Sequence, residues 1–389
     1  MSGKSWTILD VEAKSHAPDF TLSDLSEVSR AARDCSIKYE TLRGGLSDGV
    51  GMLRVDNGQF AFAVLPTRGM SLWKAWSGDF EWGWKSPVRG PVHPAFVDMG
   101  EPSGLGWLDG FDELLVRCGL ESNGAPDFDE NGKLTYPLHG RIGNRPAHKL
   151  QVAVDGDSGE ITVRGVVEET RFHFQKLRLT STIKTLPGES GLRIHDVVEN
   201  LSASPAQAQL LYHVNFGDPL LDAGSQVVVP AKTIVPRNGR AAEGIDTWDS
   251  YRAPAAGFEE QVYFLELFAD SSGQTRTLLK NAHATRGVSL LYNKKQLPCF
   301  TVWKNTTALA DGYVTGLEPG TNFPNPRTYE TEQQRVVPIS AGTKIGFELQ
   351  LQFHTDSASV QRAEKAVAAL AGDREPQIFN KPQKGWCAP

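Results

Sequence analysis

The residues in this chain best suited to acid–base chemistry are one glutamate and two histidines. Glu318 stands among the turn formers of residues 316–327, directly after a predicted strand. A carboxylate held by a Pro-Gly turn is poorly explained as a solvated surface charge, because rigid loops commonly carry binding and catalytic side chains. His139 and His213 each lie between apolar residues, Gly and Pro. If the three converge on one cavity, they could give and take protons on opposite sides of a small substrate near neutral pH.

A second group could bind that substrate. Arg68 and Lys304 each follow an apolar run near aromatic residues, as expected where a polyhydroxylated ring stacks on Trp and is hydrogen-bonded from its rim. Within residues 106–113, Trp107 is a candidate platform and Asp109 a candidate hydroxyl acceptor. The remaining candidates are Lys85, Arg141, Asp249 and Trp303. The competing interpretation is that the cations and aspartates lie on the surface and the tryptophans in the core.

Several classes of function lack their motifs. The sequence has no HxH, HExxH or Cys/His spacing, and no GxSxG, GxGxxG or P-loop. We therefore expect no metal and no cofactor. The four cysteines are too scattered for a CxxC pair and are interpreted as free thiols.

Charge and hydropathy limit the partners. A formal net charge of -6 over 389 residues makes nucleic acid and anionic membranes poor partners. No apolar leader or membrane-spanning run occurs, so a cytoplasmic protein is expected. A homodimer remains open.

Alternating β-branched and aromatic segments predict the elements that position these residues. They recur from about residue 50 to 355, for example at 59–65, 159–167, 177–184, 192–198 and 345–353. Period-two alternation at short intervals predicts an all-β fold of antiparallel sheets. Helices are predicted only at 25–32 and 358–371. We expect one β domain over 45–372, with an N-terminal extension (1–44) packing on it and a C-terminal tail (373–389).

The order of His139, His213 and Glu318 on an all-β chain resembles the aldose 1-epimerase, or galactose mutarotase-like, family. The Arg-Gly-Met segment at 68–70 and the Leu-Glu-Pro-Gly-Thr-Asn segment at 317–322 resemble its bacterial DUF4432-type branch. The resemblance implies a β-supersandwich with an open sugar-binding face. It also implies that Glu318 takes the proton of the anomeric hydroxyl and His213 protonates the ring oxygen, with His139 hydrogen-bonding the substrate. Asp249 is matched to the family's hydroxyl-binding aspartate.

The resemblance leads to a cofactor-independent mutarotase acting on a monosaccharide or sugar derivative. In typical members an arginine precedes the first histidine motif, and here a Trp-rich insertion replaces that region. The extra cations would suit an acidic, phosphorylated or oxidised sugar. Two alternatives stay open: a lyase or isomerase acting on a keto or acidic sugar, and a non-catalytic carbohydrate-binding protein.

Overall fold

The computed structural model describes residues 3–389 of the chain. The strands of the first half are β1 (Lys4–Asp10), β2 (Ser15–His16), β3 (Phe20–Leu22), β4 (Ser36–Thr41), β5 (Gly51–Asp56), β6 (Ala61–Leu65), β7 (Ser71–Ser77), β8 (Phe80–Trp82), β9 (Leu115–Leu120), β10 (Asp127–Phe128), β11 (Leu134–Tyr136), β12 (Ala147–Val154), β13 (Ile161–Thr170), β14 (Lys176–Thr185) and β15 (Gly191–Asn200). Those of the second half are β16 (Ala206–Gly217), β17 (Gln226–Val228), β18 (Ala231–Pro236), β19 (Gln261–Leu267), β20 (Gln274–Lys280), β21 (Gly287–Asn293), β22 (Cys299–Asn305), β23 (Val314–Gly320), β24 (Val337–Ile339), β25 (Lys344–His354) and β26 (Gln377–Ile378).

Helices are few and short. The α-helices are α1 (Gly239–Ala242), α2 (Arg327–Glu332) and α3 (Ser357–Ala371). Single 3-10 turns occupy Arg30–Ala32, Gly45–Ser47, Pro66–Arg68, Pro94–Phe96, Gly106–Gly110, Ile142–Asn144, Ile245–Thr247 and Leu309–Asp311.

Two large sheets face each other. The first has ten strands in the order β17-β20-β21-β25-β15-β14-β13-β12-β1-β2. The second has fourteen, along the path β26-β18-β19-β22-β23-β16-β9-β7-β6-β5-β4-β3, with β24 paired to β16 and β8 to β7. The sandwich pairings are antiparallel apart from β18 with β26, as the predicted all-β fold requires.

Alternation along the strands builds the core between the sheets. In β13 and β14 every second residue is buried, because one face packs on the other sheet and the other meets solvent. A buried ion pair ties the layers together: Arg117 Nε lies 2.5 Å from Asp196 Oδ2, and Tyr212 donates its hydroxyl to the same carboxylate at 3.0 Å. Arg117 and Tyr212 belong to the fourteen-stranded sheet and Asp196 to the ten-stranded sheet.

The central strands of the fourteen-stranded sheet are buried on both faces. All seven residues of β23 are buried, and β16 is buried over almost its whole length. Since Tyr212 faces the other sheet, the side chains next to it, Leu211 and His213, face outward. Long loops cover that outer face with a second apolar cluster, which includes Trp84, Trp107 and Phe111.

Some predicted elements differ from the structure. Helix α3 confirms the helix predicted at 358–371, but the one predicted at 25–32 is reduced to turns and the 3-10 segment Arg30–Ala32. Strands β1 to β4 fall within the predicted N-terminal extension (1–44) and pair within the two large sheets; residues 1 and 2 lie outside the described part. The predicted tail is docked, with β26 paired to β18 and Trp386 stacked on Phe323.

Among residues 3–389, no helix is long and apolar enough to span a membrane.

Candidate active site

Strand register brings a histidine and a glutamate together on the outer face of the fourteen-stranded sheet. Val214 of β16 pairs with Leu317 of β23, so the next residues in the register, His213 and Glu318, are cross-strand neighbours. His213 Nε2 lies 3.3 Å from Glu318 Oε1, and the two residues are only 4% and 2% exposed. The prediction that Glu318 stands in a turn is wrong, because β23 runs on through Gly320 and holds the carboxylate within a strand.

A glycine keeps the space around this pair open. A Cβ atom on Gly316 would lie 2.7 Å from Glu318 Oε1 and 3.0 Å from His213 Cε1. Both distances are shorter than ordinary van der Waals contact. Any other side chain at this position would therefore displace the acid–base pair.

Hydrogen bonds fix the tautomer of His213. Asn215 Nδ2 donates to the backbone carbonyls of Glu113 at 3.0 Å and His213 at 3.1 Å, which orients its Oδ1 towards the imidazole. That oxygen lies 2.6 Å from His213 Nδ1 and can only accept, so Nδ1 carries a proton. The remaining nitrogen, Nε2, faces Glu318 and is free to exchange a proton.

Burial sets the protonation of the pair. It raises the pKa of Glu318 to about 8, an effect that the charge of Glu260 increases and that of Arg237 opposes. Burial, together with the nearby imidazole of His139, lowers the pKa of His213 well below its usual value. Because burial disfavours the charged form of both groups, the pair holds one proton near neutral pH, on the carboxyl group of Glu318.

The second histidine completes the group from a loop. His139 has a φ of 57°, a left-handed conformation that is uncommon for a residue other than glycine and is often found at functional sites. Its Nδ1 donates to the carbonyl of Asn123 at 3.0 Å, and its ring centre lies 5.1 Å from that of His213. Burial lowers the pKa of His139 to about 4, so the ring is neutral near pH 7 and Nε2 can accept a hydrogen bond.

These three side chains line one cavity of about 280 Å³, named here the His213 cavity. The rings of Trp107, Phe111 and Trp303 form its apolar walls. The ring centres of all three lie between 5.3 and 6.0 Å from that of His213. Protein pockets for drug-sized ligands are usually larger, so this volume suits a small molecule of about one sugar ring.

Two charged residues missed in the sequence stand at the same cavity. Arg237 follows β18 and Glu260 precedes β19, and both line the His213 cavity. Their side chains lie 3.5 Å apart, and Trp303 Nε1 donates to Glu260 Oε2 at 2.7 Å. Each residue lies at the end of a strand, and this is the signal that the sequence offered. It points to a shared site only once the pairing of β18 with β19 is known, and that pairing comes from the structure.

Of the predicted binding residues, Trp107 and Trp303 line the His213 cavity and six others do not. The six are Arg68, Lys85, Asp109, Arg141, Asp249 and Lys304.

Arg68 is a buried cation whose hydrogen bonds go to groups of the protein itself. Its Nε lies 2.5 Å from Glu113 Oε1, and its terminal nitrogens donate to Asn144, Val92 and Gly110. The carbonyl of Glu113 in turn accepts the bond from the asparagine that orients His213. Arg68 therefore helps to position His213 indirectly, by holding Glu113, whose backbone carbonyl binds Asn215.

The other five have different surroundings. Lys85 is exposed and forms an ion pair with Asp218, and Asp109 is exposed on its 3-10 turn. Arg141 lines a separate recess with Glu169. Lys304 follows Trp303 directly in β22, so its side chain points to the opposite face of the sheet. On that face the negative charge of Asp249 interacts with the ammonium group of Lys304.

A larger cavity, of about 550 Å³, lies on the ten-stranded sheet beside α3. Its titratable residues include His195 and Glu348, both exposed. It lacks the buried carboxylate–imidazole pair that distinguishes the His213 cavity, so the smaller cavity is the candidate for chemistry. Within residues 3–389, no group of three or more His, Cys, Asp or Glu side chains could hold a metal ion.

The fold defines the structural class as galactose mutarotase-like. The chain superposes on a galactose mutarotase-like protein from Clostridium acetobutylicum with a TM-score of 0.55, at 15% identity and covering 82% of this chain and 98% of that one. It superposes on galactose 1-epimerase from Lactobacillus acidophilus NCFM with a TM-score of 0.54, at 13% identity, covering 82% and 99%. At these identities the likeness concerns the fold alone.

A family model narrows this class. The chain belongs to the family described as a domain of unknown function, DUF4432, whose model matches residues 47–353. It is also similar to a protein from Klebsiella pneumoniae subsp. pneumoniae MGH 78578 that is provisionally named an aldose 1-epimerase. The two are 34% identical with a TM-score of 0.94, over 98% of this chain and 99% of the other. No match to a curated protein was found.

Proposed function

We propose that this protein is a cofactor-independent aldose 1-epimerase that interconverts the anomers of a neutral monosaccharide. The observation that carries the proposal is the buried contact of 3.3 Å between His213 Nε2 and Glu318 Oε1, inside a cavity walled by aromatic rings. Opening a cyclic hemiacetal requires one proton to leave the anomeric hydroxyl and another to reach the ring oxygen. These two oxygens share one carbon, so the base and the acid must be close neighbours.

In the proposed reaction, the proton that the pair holds first moves from the carboxyl group of Glu318 to His213 Nε2 when the substrate binds. Glu318 then removes the proton of the anomeric hydroxyl, and His213 Nε2–H protonates the ring oxygen. The C–O bond of the ring breaks as the carbonyl forms, the carbonyl carbon rotates, and the reverse transfers close the ring as the other anomer. The single proton that the pair holds suits this exchange, since one group must give while the other takes. When a sugar occupies the cavity, its hydroxyl groups can donate hydrogen bonds to Glu318 in place of the water that burial excludes. These hydrogen bonds favour the ionised carboxylate.

The remaining residues would bind the sugar. The neutral His139 offers Nε2 as an acceptor for a hydroxyl, and Trp107 and Trp303 offer apolar surfaces to the faces of the ring. Glu260 and Arg237 supply an acceptor and donors from the rim. In this proposal Glu260 takes the hydroxyl-binding role that the sequence assigned to Asp249.

The charge of the cavity supports a neutral substrate. The cations behind the earlier interpretation of an acidic or phosphorylated sugar, Arg68, Lys85 and Lys304, do not line the cavity. Its arginine, Arg237, lies beside the carboxylate of Glu260 at 3.5 Å. A second carboxylate, Glu318, would repel an anionic substrate whenever it is ionised.

Exchange spectroscopy by NMR in D₂O tests the proposal with a panel of neutral aldoses, uronic acids and sugar phosphates. We expect the protein to accelerate anomer exchange of at least one neutral aldose, with no deuterium entering a carbon-bound position. Replacing the acid with His213→Gln should lower the rate by about 10² to 10⁴. The matched control His195→Gln changes an exposed histidine on the other sheet and should leave the rate unchanged.

Other outcomes would contradict the proposal in distinct ways. Deuterium uptake at carbon would indicate lyase or isomerase chemistry at an acidic C–H bond. Saturable sugar binding without any acceleration of exchange would indicate a carbohydrate-binding protein. Equal rates in the His213→Gln and His195→Gln variants would place the chemistry elsewhere.

A further inference from the structure

A second polar cavity lies against the opposite face of β22. It has a volume of about 500 Å³ and is lined by Lys304, Thr306, Arg240, Arg252, Gln261 and neighbouring residues, and it is named here the Lys304 cavity. Consecutive residues of a strand point to opposite faces, so Trp303 lines the His213 cavity while Lys304 lines this one. The two cavities are therefore separated by the sheet.

The lysine in this cavity carries a buried charge without a contacting counter-ion. Lys304 is 4% exposed, and its Nζ donates to the carbonyls of Thr247 and Ser250, both at 2.6 Å. Its ammonium also lies 5.2 Å from the ring centre of Tyr251. In the described part of the chain no carboxylate lies within 4.0 Å of this nitrogen, and Asp249 acts on it only through its charge at longer range.

This arrangement leaves binding capacity unused. An ammonium group has three N–H donors, and two are taken by neutral carbonyls. Buried charges in proteins are normally paired, because removing a charge from water is costly. Burial lowers the pKa of Lys304 to about 8, as expected for an ammonium whose charge is not compensated locally.

Further polar groups surround the same space. Thr306 is 1% exposed, and its hydroxyl has no hydrogen-bond partner although buried hydroxyls are usually paired. Arg252 is exposed at the cavity and makes no ion pair with any of residues 3–389; its guanidinium lies 5.9 Å from the ring of Phe258. Three cations line the cavity, and one of them, Arg240, already pairs with the single lining carboxylate, Glu243. Lys304 and Arg252 are therefore the two cations of this cavity that form no ion pair within residues 3–389.

We propose that the Lys304 cavity is a binding site for the oxyanion group of a small molecule, such as a carboxylate, sulfate or phosphoryl group. The third N–H of Lys304 and the hydroxyl of Thr306 hold the anion inside the cavity, and the guanidinium of Arg252 closes on it from the exposed side. The volume leaves room for an organic body behind the charged group. This site is separate from the acid–base pair and does not depend on its chemistry.

Calorimetric titration with sulfate and with acetate tests the site, with sodium chloride at matched ionic strength as the reference. We expect saturable binding of at least one of the two anions and none of chloride; preference for sulfate indicates a tetrahedral group and preference for acetate a carboxylate. Lys304→Met should weaken binding by tenfold or more, and Arg252→Gln, which changes an exposed side chain, by several-fold. Arg43→Gln removes the same charge from an exposed arginine that lines neither cavity and should have no effect.

Two further variants show whether the anion binds in the Lys304 cavity or in the His213 cavity. Glu318→Gln should bind the anion as the natural protein does, since the His213 cavity is on the other face. Thr306→Val should weaken binding several-fold because it removes the hydroxyl while keeping the shape. Absence of saturable binding would overturn the proposal, as would unchanged affinity in both Lys304→Met and Arg252→Gln, or loss of binding in Glu318→Gln.

Discussion

Replacing Glu318 with glutamine should greatly lower activity and stabilise the fold at the same time. Glu318→Gln keeps the shape of the side chain and removes the proton-accepting oxygen, so the anomer exchange rate should fall by about 10² to 10⁴. Stability should change in the opposite direction. Burial raises the pKa of Glu318 from 4.5 to about 8, so folding disfavours its charged form.

The sign and size of that effect follow from proton linkage. A carboxyl group whose pKa is raised by folding contributes its full stability below the unfolded pKa of 4.5 and loses it as the pH rises towards 8. The glutamine has no such loss. The difference in unfolding free energy between variant and natural protein should therefore grow by about 2 to 3 kcal/mol between pH 5 and pH 7, in favour of the variant.

Urea unfolding at pH 5, 6 and 7, together with exchange spectroscopy on the same samples, measures both quantities. The matched control is Glu348→Gln, at an exposed residue of β25, which should change neither the exchange rate nor the pH dependence. A Glu318→Gln variant with the natural exchange rate would refute the catalytic assignment. A stability difference that stays constant from pH 5 to pH 7 would refute the assignment of a raised pKa.

Three other changes test how the site is held. Asn215→Asp places a carboxylate beside His213 Nδ1, which should raise the pKa of His213 and shift the acid limb of the pH–rate profile to higher pH; an unchanged profile would show that this bond does not tune the imidazole. Gly316→Ala adds a methyl group 2.7 Å from the catalytic carboxylate oxygen and should lower the exchange rate about 10²-fold by misplacing it, while the far-ultraviolet circular dichroism spectrum stays the same; a natural rate in this variant would contradict the close approach. Arg68→Met leaves the carboxylate of Glu113 buried without its partner and should lower the unfolding free energy by about 3 to 5 kcal/mol in urea titrations, whereas a loss of sugar affinity at natural stability would return Arg68 to a binding role.

Much of the fold could be predicted because its signals are local. A strand with one face in the core and one in solvent must alternate, and the segments predicted at 177–184 and 345–353 match β14 and β25 within one residue at each end. Helix α3 was predictable because its buried residues recur at helical spacing after the capping Asp356. The segment at 25–32 also follows an aspartate, Asp24, and buries Leu25, Ser29 and Ala32 at helical spacing. It is only eight residues long, which is short for an α-helix, and it forms turns and a 3-10 segment instead.

The chain's own sequence determined that it is an all-β protein and that a glutamate and two histidines are its candidates for acid–base chemistry, since residue type and spacing carry that information. Only the tertiary structure decided which residues surround them. Lys304 is adjacent in sequence to Trp303 and yet lies across the sheet from it, whereas Arg237 and Glu260 are distant in sequence and share a cavity. The physical reason is that successive side chains of a strand point to opposite faces, and strands pair in a register that the whole sheet fixes. The sequence of one segment therefore does not show which residues of other strands lie next to it.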